Sequence, residues 1–81
     1  MAVSPTVLRY KGYRFFFFSR EEPRMHVHVA SPDGEAKFWL EPLVALAVWS
    51  GFSFAELGEL QQVVEEHRDE FIRRWRHHFG G

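Results

Sequence analysis

The stretch Met25-His-Val-His-Val-Ala-Ser-Pro-Asp-Gly-Glu-Ala-Lys-Phe-Trp-Leu40 decides the fold. Polar and apolar residues alternate on both sides of Ser31-Pro32-Asp33-Gly34, and strict alternation is the signature of a strand. The centre is a turn: Pro presets φ, Asp bonds its own backbone, and Gly accepts positive φ. Strands over about 25–30 and 35–40 therefore form an antiparallel hairpin. A register with Val29 opposite Ala36 gathers Val27, Val29, Ala36, Phe38 and Leu40 on one face. It leaves His26, His28, Lys37 and Trp39 on the other.

Upstream, Val7–Lys11 and Tyr13–Phe18 read as two further strands around Lys11-Gly12. A two-residue loop there pairs Tyr10 with Tyr13, Arg9 with Arg14 and Leu8 with Phe15. Leu8, Tyr10, Tyr13, Phe15 and Phe17 then share one face. Val7, Arg9, Arg14, Phe16 and Phe18 share the reverse. Downstream, Pro42 suits the first turn of a helix and Gly51 suits its end, so a helix is expected over about 42–50. Ser53-Phe54-Ala55-Glu56 is a capping box, flanked by Phe52 and Leu57 as a hydrophobic staple. It opens a long helix over about 53–78 with an apolar stripe of Leu57, Leu60, Val64, Phe71 and Trp75. The order is ββββαα. The expectation is one α+β domain spanning 1–81, an antiparallel four-stranded sheet with two C-terminal helices packed on one face.

Composition narrows the function. The chain has 81 residues and no cysteine, and 17% of it is aromatic. It is too short for a Rossmann or TIM-barrel enzyme. Without cysteine there is no disulfide framework, thiolate zinc site or cysteine nucleophile. No apolar run approaches the ~18 residues of a membrane span. Met1–Thr6 lacks the pattern of a signal peptide. A soluble cytoplasmic protein is expected, with no membrane contact and no cofactor. The net charge of −1 argues against a general nucleic-acid binder. The charge is uneven, with basic ends flanking an acidic middle. Arg9, Lys11, Arg14 and Arg20 lie in the first twenty residues, and only Glu56, Glu59, Glu65 and Glu66 are charged in 42–66.

Four constellations carry chemistry, each with a plainer alternative. His26 and His28, at i and i+2 on a strand, project to one face. They are the catalytic candidates, as a general acid and base beside a phosphate. They are also a weak metal pair, with Glu21, Glu22 or His67 as a third ligand, and no metal is expected. The alternative is a pair of strand histidines holding a loop or an interface. His67 lies on the apolar stripe of the long helix, where a backbone carbonyl or carboxylate partner is the expectation. Arg9 opposite Arg14 calls for a negative group between them: Glu21-Glu22, a phosphate or a partner's carboxylates. Arg9, Arg14, Lys37 and Trp39 are thus ligand- or phosphate-binding candidates. Finally, 47–57 imitates a helix-turn-helix, but its second helix opens on acids that repel phosphates. A tight helical hairpin is expected there.

Pro5-Thr6-Val7-Leu8, Gly12-Tyr13-Arg14-Phe15-Phe16-Phe17, Pro23 with His26-Val27-His28-Val29, Gly34–Leu40, Gly51-Phe52-Ser53 and Trp75 together resemble the bacterial domain-of-unknown-function family 4160. Two residues separate Pro23 from His26, where that family usually has Pro directly before the first His, and Glu41 stands where an Asp is common. The resemblance implies a small bacterial protein, often encoded beside another small protein in what look like toxin–antitoxin pairs. It implies no established activity, cofactor or catalytic residue. The leading expectation is an interaction module acting through a protein partner or as a homo-oligomer, with Phe16, Phe18, Leu43, Val44, Val48 and Trp49 as interface candidates. The alternatives are a ribonuclease or other phosphate-directed hydrolase using His26 and His28, and a nucleic-acid-binding regulator, which is less favoured.

Overall fold

A computed structural model describes residues 5–18 and 23–80. The central hairpin forms as its alternation dictates. β3 (His26–Ser31) pairs antiparallel with β4 (Gly34–Trp39), with Val29 opposite Ala36. β1 (Thr6–Tyr10) and β2 (Tyr13–Phe16) pair with Tyr10 opposite Tyr13, Arg9 opposite Arg14 and Leu8 opposite Phe15. Lys11 and Gly12 both have positive φ (49° and 83°), the two-residue turn whose twist matches its strands.

The sheet has five strands, not four. Residues 45–50, expected as the end of a helix, form β5 (Ala45–Ser50) at the edge beside β4, in the order β1-β2-β3-β4-β5. An apolar run without a polar period fits a buried helix or a strand equally, and eight residues is strand length. Pro42 opens no helix: it follows a cis peptide bond after Glu41. Gly51 (φ 82°) ends no helix either, but turns the chain from β5 into the next element. The helix-turn-helix and helical-hairpin readings of 47–57 fall with that helix.

The long helix is two. α1 (Phe54–Glu66) starts at the expected capping box: Glu56 N–H donates to Ser53 Oγ at 3.1 Å, and Ser53 N–H donates to Glu56 Oε1 at 2.9 Å. The helix stops at His67, and α2 (Arg68–Phe79) follows. The Val63 carbonyl lies 2.9 Å from His67 Nδ1 and also accepts the His67 N–H. That side-chain contact sits at the break.

Both helices cover one face, called inner here. Leu57, Leu60, Val63 and Val64 of α1 and Phe71 and Trp75 of α2 join Phe15, Phe17, Val27, Val29, Phe38 and Leu40 in one core. Val7, expected on the outer face, belongs to that core. A bulge between Thr6 and Leu8 turns it inward. Polar ties fix the helices on the sheet. Tyr10 donates to Glu59 at 2.6 Å and Tyr13 to Glu56 at 2.9 Å. Arg68 Nε donates to the Leu40 carbonyl at 2.7 Å, clasping the chain between β4 and β5.

The β3–β4 turn and the β5–α1 turn touch backbone to backbone. A Cβ on Gly51 would overlap the Asp33 carbonyl, and one on Gly34 would overlap the Ser50 carbonyl. Gly51→Ala is therefore expected to cost about 2–4 kcal/mol, from positive φ and overpacking together, read from the urea midpoint. The Ser53 backbone N–H, then the Tyr13 hydroxyl, hold the Glu56 carboxyl below its ordinary value of 4.5. Tyr10, then Lys11, do the same for Glu59. A depressed folded pKa stabilises above the unfolded value and loses that contribution as pH falls through the folded one. Stability should thus decline on acidification below about 4.5. The decline should be shallower in Glu56→Gln/Glu59→Gln, measured by urea unfolding across pH.

Candidate functional site

The outer face of the sheet carries the sequence-predicted side chains, in rows fixed by strand pairing. Phe16, His28, Lys37 and Val48 lie directly across β2, β3, β4 and β5. Arg9, Arg14, Ala30, Glu35 and Ser50 form a second row. His26, Trp39 and Ala45 form a third. His28 stacks on Phe16 at a centroid distance of 5.5 Å and meets Phe18 edge-on at 4.3 Å. Arg14 lies over Phe16 at 4.4 Å, and both Arg24 (4.1 Å) and Lys37 (4.4 Å) lie over Trp39. The cations thus rest on ring faces, where the quadrupole attracts them. A shallow depression of about 200 Å³ opens among Phe16, Phe18, His28, Glu35, Lys37 and Val48.

The two catalytic candidates share this face but not its exposure. His26 is fully buried (0% exposed). Its Nδ1 lies 2.7 Å from the Arg24 carbonyl, and its ring contacts Trp39 at 5.6 Å and Trp75 of α2 at 5.0 Å. His28 is half-buried and borders the depression. The two rings meet edge-on at 5.0 Å. A general acid and base must come within hydrogen-bond reach of the reacting group, and of the two rings His28 is the one that borders the depression.

The other candidates scatter. His67 stacks on Phe71 at 5.8 Å with its Nδ1 at the Val63 carbonyl, so it belongs to the helix layer and not to the His26–His28 pair. Glu21 and Glu22, proposed as a third ligand or as counter-charges to Arg9 and Arg14, lie outside the described residues. Among the described residues no three His, Asp or Glu gather as a metal site. Arg9 does face Arg14, whose Nε donates to Thr6 Oγ1 at 2.6 Å. Of the interface candidates, Phe18, Leu43, Val48 and Trp49 are exposed. Phe16 is buried as the floor of the depression, and Val44 is buried in the core and leaves the interface set.

Three contributors were missed. Phe54 is exposed at the start of α1. Arg68 clasps the β4–β5 connection. Arg24 covers Trp39 from just before β3. Only Phe54 had a signal, since a residue between the cap and the staple position of a capping box points outward. A larger hollow of about 540 Å³ lies away from this face, where Pro5 and Phe17 meet Glu70, Arg73, Arg74 and His77. Within it Arg74 Nε pairs with Glu70 Oε2 at 3.3 Å, one turn apart on α2.

Because His26 is packed between Trp39 and Trp75, His26→Ala should act first on stability. A loss of about 2–3 kcal/mol is expected from the cavity. Urea unfolding followed by tryptophan fluorescence reads it, and a variant as stable as the parent would contradict the packing role.

No curated protein and no solved structure matches the chain. No helix among the described residues is long and apolar enough to cross a membrane. One family model, described as Domain of unknown function (DUF4160), matches residues 12–76, from the β1–β2 turn to the last turns of α2. The match covers most of the chain and all of the outer face except β1, and the chain belongs to this family.

Proposed function

We propose that the chain is an interaction module that works with its β5 edge covered by another polypeptide. One observation carries this reading: the two edges of the sheet are built differently. Edge strands expose unpaired N–H and C=O groups and are ordinarily guarded by charge, proline or short length. β1 follows that rule, with Arg9 in the strand and Lys11 at its end. β5 does not. From Pro42 to Ala55 there is no charged residue. Leu43 (66%), Val48 (61%) and Trp49 (46%) remain exposed on or beside that strand. Val48 also walls the outer-face depression opposite Phe18, so apolar surface continues from the edge onto the face. Exposed apolar surface of this kind marks an interaction site, and covering it is worth about 25 cal/mol per Å².

The family resemblance extends the reading to one half of a two-protein, toxin–antitoxin-like pair. A hydrolase reading has less support, because His26 is buried against Trp39 and Trp75. Light scattering of the chain alone, and with the protein encoded beside it, tests the proposal. A mass above one 9.6 kDa chain in either sample supports it. A strictly monomeric chain that ignores that protein contradicts it. Val48→Lys should weaken the association at least tenfold with an unchanged circular dichroism spectrum.

A further inference from the structure

We infer that the polypeptide covering β5 is a second copy of this chain, its β5 running antiparallel to the first across a two-fold axis. This rests on reading β5 as a covered edge, and goes further by naming the occupant and the register. A two-fold strand pair must set each residue opposite one that points to the same face of the joined sheet. In a regular strand, residues three or five apart point to opposite faces. β5 is not regular. Its pairing with β4 skips Ala47: Phe38 faces Leu46 while Lys37 faces Val48.

The bulge changes which residues share a face. Ala45 and Ser50 pair with Trp39 and Glu35, so both lie on the outer face. Leu46 and Trp49 pair with Phe38 and Ala36, so both lie on the helix side. Aligned antiparallel on itself, β5 can therefore set Ala45 against the second copy's Ser50, and Leu46 against the second copy's Trp49. Both of these pairs keep to one face, and Ala47 and Val48 lie between them at the axis. On the outer side two small residues meet, and on the inner side Leu46 and Trp49 make an apolar cross-strand contact.

Charge agrees with this occupant. An isologous contact brings each group near its own copy, and a like charge on the strand would oppose it. The uncharged run from Pro42 to Ala55 is the longest stretch in the chain free of that penalty. The joined sheet would run without a break through both copies, and the two protected β1 edges would lie at its ends.

Engineered disulfides test the register directly, because the chain has no cysteine of its own. Residues directly opposite in an antiparallel pair have Cα atoms about 4.5–5.5 Å apart, within disulfide range. Ala45→Cys/Ser50→Cys should oxidise to a covalent dimer of twice the 9.6 kDa chain mass. Either single variant should not, because like positions then lie five residues, about 17 Å, apart along the strands. Adding Val48→Lys should abolish the cross-link. Sedimentation of the unaltered chain should show the same dimer. Single variants that cross-link as fast as the double one would overturn the inference. So would a monomeric unaltered chain whose double variant stays uncross-linked. If such a monomer still binds the protein encoded beside it and loses that binding on Val48→Lys, the covered edge stands and only the second copy falls. If it binds neither, both fall.

Discussion

The constraint on which the rest depends is the burial of one sheet face beneath two short helices. Phe15, Phe17, Phe38 and Phe71 are fully buried, and the rings of Phe15 and Phe71 meet at 6.0 Å across the sheet–helix interface. A chain of 81 residues without disulfides has little else to offset the entropy of ordering. Much follows from that demand. The strands must alternate so that their large residues point inward. A bulge at Val7 brings one more apolar side chain to the core. Tyr10, Tyr13 and Arg68 then spend their polar ends holding the helices in place.

That economy leaves the outer face, apart from His26 against Trp75, without a helix above it. On the outer face the rings largely cover each other: Phe16 is buried and His28 half-buried without a helix above them, and three cations rest on aromatic rings. The surplus of aromatic residues thus has two uses, a core beneath the helices and a layer packed on itself opposite. β5 has no such cover. Its exposed apolar residues and its lack of charge are hard to reconcile with an edge meant to face water. The same feature that makes the strand a hazard in isolation makes it suitable as an interface.

The strands from Leu8 to Phe15 and from His26 to Trp39 were legible because their alternation and their turns agree. Each register found from sequence is the one the structure has. β5 was not legible, since Leu43–Trp49 is apolar at every position and carries no period to separate strand from helix. The break at His67 was hidden for a related reason: Leu60, Val64, Phe71 and Trp75 keep a helical stripe running through it. Of the candidate site, the shared face of His26 and His28 was readable from their spacing. The burial of His26 was not, because it depends on Trp75, which is remote in sequence and arrives only when α2 docks. Val44 passed for surface because the helix it was assigned to does not exist.

Amide hydrogen exchange resolved along the chain tests the central claim most directly. A covered β5 should show amides from Ala45 to Ser50 protected to the level of β3, with protection rising with protein concentration, while the outward amides of β1 exchange fast. If the amides of β5 exchange as fast as those of β1 at every concentration, alone and with the protein encoded beside it, the edge is open to water and the account is contradicted.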